Sequence, residues 1–339
     1  MSHTLKSSNW PNLRLISPEE KAEKYDAIVI LCDNSELENE SLKARAEELS
    51  IPLNGFGGDG RAFRVGYSPR GGTVAFIGKI SDPGRRRKNP YIVSPQRSFM
   101  TLLAEKIKSA GRTALIDCTW ANIDPQWFDA FLSVLYDFDC YKPEFPHLTD
   151  IHVVKKNDEW NRELGELAQS YKWIYFARDM VNHPPGAKTP EGVASLIKER
   201  VETIPNITAS VIAGEAIKEF DLIWRVGKGS PKNPPALLRI EYAPLEETTN
   251  KKPLVLVGKG VLFDQGGITA KTDDGDLATM KLDCSGAMGI AAVIAIAAEL
   301  KLPLKVVAYM PFVVNMLSHE AGLPGDIGRL KDETTVEIS

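Results

Sequence analysis

Apolar positions in this chain fall into short continuous runs separated by stretches with helical spacing, and the two alternate along the first half. Tyr25 to Leu31 (YDAIVIL), Thr73 to Gly78 (TVAFIG), Ala114 to Ile116 and Leu148 to Val154 (LTDIHVV) read as strands, because short apolar runs suit strands buried in a sheet. Between them, Ser94 to Ala110 reads as a helix with Phe99, Leu102, Leu103 and Ile107 on one face. Gln126 to Tyr136 reads likewise, with Phe128, Phe131, Leu132 and Leu135 inward. Strands alternating with helices predict an α/β layered fold.

The second half continues the alternation after one long helix. Asp158, a candidate N-cap, opens a helix to about Met180 that stops before the breaker cluster Asn182-His183-Pro184-Pro185-Gly186. Thr189-Pro190 opens the next helix, with Thr as the cap and Pro at the first helical position, and turns Val193, Leu196, Ile197 and Val201 inward. Strands are predicted at Ile207–Ile212, Ala236–Tyr242, Pro253–Val257, Lys305–Met310 and Thr334–Ile338, and helices at Glu215–Phe220 and Ser285–Leu300. A length of 339 residues suits two domains at roughly 150 residues each. The expected division is an N-terminal α/β domain over 1–156, a linking helix and start of the second domain over 157–183, and the second domain over 184–339.

Bulk composition narrows the class. The chain is 43% hydrophobic and 25% charged with net charge −4, so nothing argues for a nucleic-acid partner. The one basic run, Arg85-Arg86-Arg87-Lys88, reads as a solvated loop. Cys32, Cys118, Cys140 and Cys284 are far apart, without zinc spacing, and fit a reducing compartment. The N-terminus has no apolar signal core, and the longest apolar run, Ala287 to Leu300, is too short to span a bilayer. The expectation is a soluble cytoplasmic protein without a membrane partner.

Candidate chemistry gathers in Val257 to Ala287, VGKGVLFDQGGITAKTDDGDLATMKLDCSGA. A glycine-rich turn after a strand can cradle phosphate. Here Phe263 stands where the dinucleotide pattern needs its third glycine, and Asp264 would repel an anion. A metal reading fits better: Asp264 and Asp283 can clamp divalent cations, and Lys259 and Asp264 lie just past a strand end, where open α/β sheets bind ligands. Lysine ligates only as the neutral amine, and Lys271 suits a cation that polarises a carbonyl. Each residue also has a plain structural account. Asp283 could cap the helix expected at Ser285, Met280 could be core, Lys281 a surface charge, and Lys259 and Lys271 exposed lysines. Asp273, Asp274 and Asp276 could be a solvated loop. The tetrapeptide Val-Gly-Lys-Gly also occurs at Val226–Gly229, where it reads as a turn.

GKGVLFDQGGITAK followed by MKLDCSGA resembles the central motif of the leucyl (cytosol) aminopeptidases, two-metal exopeptidases. Ala177–Asn182 with Pro184 and Thr189-Pro190, Val226–Ser230 with Pro234-Pro235, and Pro311 through Met316 with Pro324–Asp326 extend the likeness over about residues 170–339. The first 150 residues match in general α/β character. The resemblance implies an N-terminal α/β, macro-like domain and a C-terminal three-layer α/β/α catalytic domain. It implies Lys259, Asp264 and Asp283 as metal ligands, Asp264 being shared by both metals. Lys271 would be the catalytic lysine at the scissile carbonyl, and Met280 would line the pocket for the substrate's N-terminal side chain. The implied cofactors are two divalent cations, zinc or manganese with magnesium or cobalt as alternatives, and a bicarbonate. The implied partners are peptides with a free N-terminus and, for a complete chain, copies of itself in a hexamer.

Two departures qualify this. The stretch from Lys271 to Asp283 is one residue longer than the family pattern, and more acidic. The family's next motif, Asn-Thr-Asp-Ala-Glu-Gly-Arg, would begin just beyond Ser339. The expectation is therefore an incomplete catalytic domain with three of five metal-binding side chains, exposed apolar sheet surface, and no activity as it stands. The alternative is a non-catalytic homologue acting as an assembly subunit.

Overall fold

A computed structural model describes residues 5, 8–16, 25–33, 36–51, 63–67, 74–80, 95–142, 148–155, 157–245, 252–271 and 277–338. The basic run at 85–88 and Asp273, Asp274 and Asp276 lie outside the described residues. Two compact units divide the chain, Ser8–Lys172 and Trp173–Ser339 with Met1–Ser7.

The first unit contains β1 (Asn12–Ile16), β2 (Ala27–Asp33), α1 (Glu40–Glu48), β3 (Phe63–Tyr67), β4 (Val74–Ile80), α2 (Pro95–Ala110), β5 (Thr113–Trp120), α3 (Phe128–Leu135), β6 (Asp150–Val154) and the first part of α4 (Asp158–Asn182). Its sheet runs β1-β6-β5-β2-β4-β3, parallel except for β3 at one edge. Ile30 and Cys32 of β2 pack with Leu42 and Ala46 of α1. Asn39 caps α1 by accepting from the amides of Ser41 and Leu42. The helix has only two fully buried side chains, which is why its apolar spacing is faint in the sequence. The Asp26 carboxylate accepts from the amides of Arg112 and Thr113 and from the Thr113 hydroxyl, joining the start of β2 to that of β5. α4 is capped by Asn157, not Asp158: Asn157 Oδ1 accepts from Trp160 N at 2.9 Å. Asp158 instead supplies negative charge to the first turn.

The second unit continues with α5 (Pro190–Val201), β7 (Ile207–Ile212), α6 (Asp221–Gly227), β8 (Ala236–Tyr242), β9 (Leu254–Val257), β10 (Gly260–Asp264), α7 (Ser285–Glu299), β11 (Val306–Asn315), β12 (Ile327–Arg329) and β13 (Thr335–Glu337). The expected Thr189 cap forms, its hydroxyl accepting from Gly192 N. β11 is the axis of the sheet. It pairs antiparallel with β8, which carries β7, and parallel with β9 along its first half and β10 along its second. Its ten residues, longer than the expected Lys305–Met310, include Pro311, which does not end the strand. Glycine-rich Val257 to Asp264 was expected as a turn, yet Gly260 to Asp264 is strand. The first Val-Gly-Lys-Gly copy likewise begins inside α6 rather than in a turn.

α7 packs against β8 to β11, and α5 against β7, β8 and β11. The alanine-rich face of α7 allows that close approach, burying Ala287, Ala291, Ala295 and Ala298. Together with the preceding 3-10 turn, α7 makes a stretch (Ala278–Glu299) long and apolar enough to cross a membrane. Its packing on four strands of the sheet accounts for that composition. On the other face α6 lies near the end of β11, where Gly227 leaves room for Pro235 and Val313. That face also carries a polar network: Glu241 accepts from Lys305 at 2.6 Å and from Arg239, whose Nε donates to the Tyr309 hydroxyl. The exposed apolar surface expected here therefore does not extend over this whole face. It is concentrated on β9, where Leu254, Val255 and Val257 are each at least half exposed. An apolar strand exposed in this way invites association.

The Lys305 and Arg239 hydrogen bonds hold the Glu241 carboxyl below its ordinary range, against the upward push of burial. A depressed folded-state pKa contributes stability above the unfolded value, and that contribution disappears as pH falls through the folded value. Solvent reaches all three side chains, so Glu241→Gln should cost about 0.5–1 kcal/mol at neutral pH. The difference should vanish in strong acid, as read from urea unfolding of both proteins between pH 7 and pH 3.

Candidate active site

Two turns and two strand ends place the candidate side chains. β10 ends at Asp264 beside Asn315, its register partner at the end of β11. Gln265 N donates to Asn315 O at 2.9 Å, and Lys271 N donates to Gln265 O at 2.9 Å, closing a loop between them. The loop turns at Gly266 and Gly267, whose φ angles of 93° and 61° favour glycine. A Cβ on Gly266 would also lie 2.5 Å from Thr269 O. The loop thereby returns Lys271 to Asp264.

On the other side, Lys259 occupies the short link between β9 and β10, and its carbonyl accepts from Ala287 N at 2.9 Å in the first turn of α7. A Cβ on Gly258 would lie 2.7 Å from Ala287 Cα. The glycine there serves strand-to-helix packing, so the Gly-x-Gly signal needs no phosphate. A 3-10 turn, Leu277–Cys284, runs into α7 and carries Met280 and Asp283.

The result is a quartet of alternating charge. Lys271 Nζ donates to Asp264 Oδ2 at 2.8 Å, and Lys259 Nζ donates to Asp283 Oδ1 at 3.1 Å. The Lys259 charge also reaches Asp264, and that of Asp283 reaches Lys271, so the two pairs form one electrostatic unit. Asp264 is its most enclosed member, with a side chain 15% exposed. Its Oδ1 accepts from Asn315 Nδ2 at 2.9 Å and Gly266 N at 3.2 Å. Burial pushes its pKa up, but hydrogen bonds from Lys271 and Asn315 and the two lysine charges outweigh that and hold it below the usual carboxylate value. The same Asp264 contact raises the Lys271 pKa, so Lys271 is an ammonium at neutral pH. Met280 Sδ lies 3.6 Å from Lys271 Nζ, in contact with the quartet.

Several plain structural accounts of these residues give way. Asp283 does not cap α7, which has no side-chain cap at its N-terminus. The exposed-lysine account holds for exposure, with the Lys259 and Lys271 side chains 56% and 39% exposed, but both are ion-paired. Lys281 is half-buried rather than a free surface charge, its ammonium donating to Asn182 O at 3.4 Å.

Two functional candidates were not evident in the sequence. Asn315 holds Asp264 from 51 residues away. Lys188 is 1% exposed, and its ammonium donates to Val181 O at 3.1 Å, Lys281 O at 3.3 Å and Cys284 Sγ at 3.7 Å. Burial lowers the Lys188 pKa, and the neighbouring Cys284 partly restores it. Burial likewise raises the Cys284 thiol pKa.

The donor chemistry suits a hard divalent cation: two carboxylates converge with an amine, and ammonium groups now supply positive charge at both. Among the described residues, however, no group of three or more His, Cys, Asp or Glu side chains gathers.

Comparison with known proteins adds the family. Residues 175–339 match the catalytic domain of the cytosol aminopeptidase family. A Clavibacter michiganensis protein named "Probable cytosol aminopeptidase" is 29% identical over 331 residues, covering 92% of this chain and 63% of that protein. The human cytosol aminopeptidase is 31% identical over 210 residues, covering 60% of this chain and 39% of the human protein. This chain spans less than two thirds of the length of either relative. A solved structure titled "Bottromycin maturation enzyme BotP in complex with Mn" has a TM-score of 0.71 at 26% identity, covering 92% of this chain and 64% of that one. The Trypanosoma cruzi leucyl aminopeptidase, at 20% identity, shares the fold with a TM-score of 0.73 over 99% of this chain and 68% of its own. The likeness to the cytosol aminopeptidase family's catalytic domain is thus carried by residues 175–339, just under half of this chain.

Proposed function

We propose that the quartet is part of a metal-dependent aminopeptidase site that acts on peptides with a free N-terminus. The observation that carries this reading is the convergence of Lys259, Asp264, Lys271 and Asp283 beyond the ends of β9 and β10, the edge where α/β sheets present ligands. Lys259, Asp264 and Asp283 are the metal-holding residues in this reading, with Asp264 the shared ligand. The manganese in the BotP complex supports a divalent cation, with zinc, magnesium and cobalt as alternatives in an oxygen-rich site. Bound cations would supply a water acidic enough to attack a peptide carbonyl at neutral pH.

The chain's own residues have separable tasks. The Lys271 ammonium polarises the scissile carbonyl and steadies negative charge developing on its oxygen. Asn315 and Gly266 hold one oxygen of Asp264 and leave the other for a cation or for Lys271. Met280, beside Lys271, forms one wall of the pocket for the substrate's first side chain. The relatives' name supports a cytoplasmic location. A hexamer and a bicarbonate belong to the same reading. The proposed domain boundaries are 1–156, 157–183 and 184–339.

The donor set also favours a second statement about these 339 residues. Among the described residues, two carboxylates and an amine are few donors for a pair of divalent cations. We propose that this chain binds manganese no tighter than about 0.1 mM and has no peptidase turnover, which also suits the non-catalytic alternative. The purified chain would be assayed on leucyl-amide substrates with manganese or zinc, alongside a manganese titration. Turnover lost on Lys271→Ala would overturn the inactivity. A complete lack of manganese binding would overturn the metal role.

An anionic Asp264 is central to the site, and its environment yields a graded prediction. In the metal-free chain, Asn315→Ala and Lys271→Met should each raise the Asp264 pKa by removing a donor to its charged form. Lys271→Met should do so more, because it also removes a positive charge. Carboxyl carbon NMR titration reads both shifts.

A further inference from the structure

We propose that Lys188 is a positioning residue for the candidate site, a buried strut that fixes the turn carrying Met280 and Asp283. This rests on the reading that Asp283 faces a cation.

Among the described residues Lys188 is the only buried lysine or arginine, and burying an ammonium is costly unless its donors are used. The three acceptors of Lys188 come from two segments. Val181 belongs to the last turn of α4, whereas Lys281 and Cys284 belong to the 3-10 turn before α7. Lys281 makes a second link in the reverse direction, its ammonium donating to Asn182 O. Within the turn, Cys284 Sγ donates to Lys281 O at 3.3 Å, so the carbonyl held by Lys188 is also held from inside. The base of the strut is fixed as well. Lys188 N donates to Pro185 O at 3.1 Å, and the next residue, Thr189, caps α5.

An apolar side chain could fill the same volume, but it would leave the Val181 and Lys281 carbonyls without this donor. The ammonium therefore supplies convergence of three acceptors rather than bulk. Asp283 lies between Lys281 and Cys284, the two residues of the turn that Lys188 grips. Its carboxylate can meet Lys259 only if that turn holds its place. Ligand orientation by a residue outside the coordination sphere is commonly worth tenfold or more in metal affinity.

The test uses the 339-residue chain and manganese, with free ion measured by electron paramagnetic resonance and backbone amide exchange measured in parallel. Lys188→Met should weaken manganese binding about tenfold and speed exchange within 277–284, leaving β7 and β8 protected as in the parent. In an Asp283→Asn background the same substitution should cost far less affinity, because the strut acts through Asp283. Unchanged affinity with unchanged exchange at 277–284 would overturn the proposal, as would exchange accelerated evenly across the second unit. If the parent chain binds no manganese, the metal reading fails, and local exchange alone then decides the strut. Should Lys188→Met not fold, Lys188→Gln, which retains two donor hydrogens, is judged by the same two outcomes.

Discussion

The arrangement at the end of the second sheet depends on keeping one poorly hydrated carboxylate charged. Asp264 lies at the end of β10 with most of its side chain withdrawn from water. A buried carboxylate protonates unless donors and positive charge offset its lost hydration. Each offset here requires particular backbone geometry. Asn315 must end a parallel neighbour in register with β10. The intervening loop must reverse at Gly266 and Gly267 so that Lys271 returns to the carboxylate. The sheet register, the positive-φ turn and the lysine loop are thus consequences of one electrostatic requirement.

A second constraint is the distance between the sheet edge and α7. Gly258 brings the backbone against Ala287, and the carbonyl of Lys259 accepts from the first turn of the helix. Small residues on α7 let it settle onto β8 to β11. This close packing brings Asp283 within reach of Lys259 across 24 residues of sequence. The glycines in the motif therefore have mechanical roles. They admit a helix and turn a loop, whereas a phosphate cradle would leave backbone amides facing an open cavity.

Much of this was legible where local physics decides. β7 and β8 occupy the predicted residues because each is a short apolar-rich run bounded by turn residues, and Thr189 caps α5 because Thr-Pro is a strong local start signal. The sequence pattern failed where distant partners decide. β10 reads as a glycine-rich turn, but pairing with β11 makes it a strand. Asp283 reads equally well as a helix cap until Lys259 is seen across the turn. Asp158 and Asn157 are both acceptable caps by residue type, and only the direction of the Asn157 side chain separates them. Asn315 lies in the family-like stretch Pro311–Met316, but nothing local marked it as the partner of Asp264, since an asparagine ending an apolar strand looks like an ordinary turn residue. Lys188, placed between a proline-glycine breaker and a helix start, looks like a loop lysine. Its burial arises from the packing of segments about 90 residues apart.

The charge balance of the quartet limits what this cluster can bind. Among the described residues, two ammonium groups and two carboxylates sum to zero, so the quartet contributes no net charge to draw a cation in from a distance. For Lys259 to become a ligand, it must release both its proton and Asp283. For Asp264 to use both oxygens, Lys271 must give up its ion pair. Each cation bound would therefore displace positive charge already present, and coordination by the amine would release a proton, making binding more favourable as pH rises. Further anionic donors would reverse this balance, because they would supply attraction that the lysines do not already neutralise. Affinity of the quartet for a cation is thus set less by the presence of Asp264 and Asp283 than by how many additional negative groups share the site with two lysines.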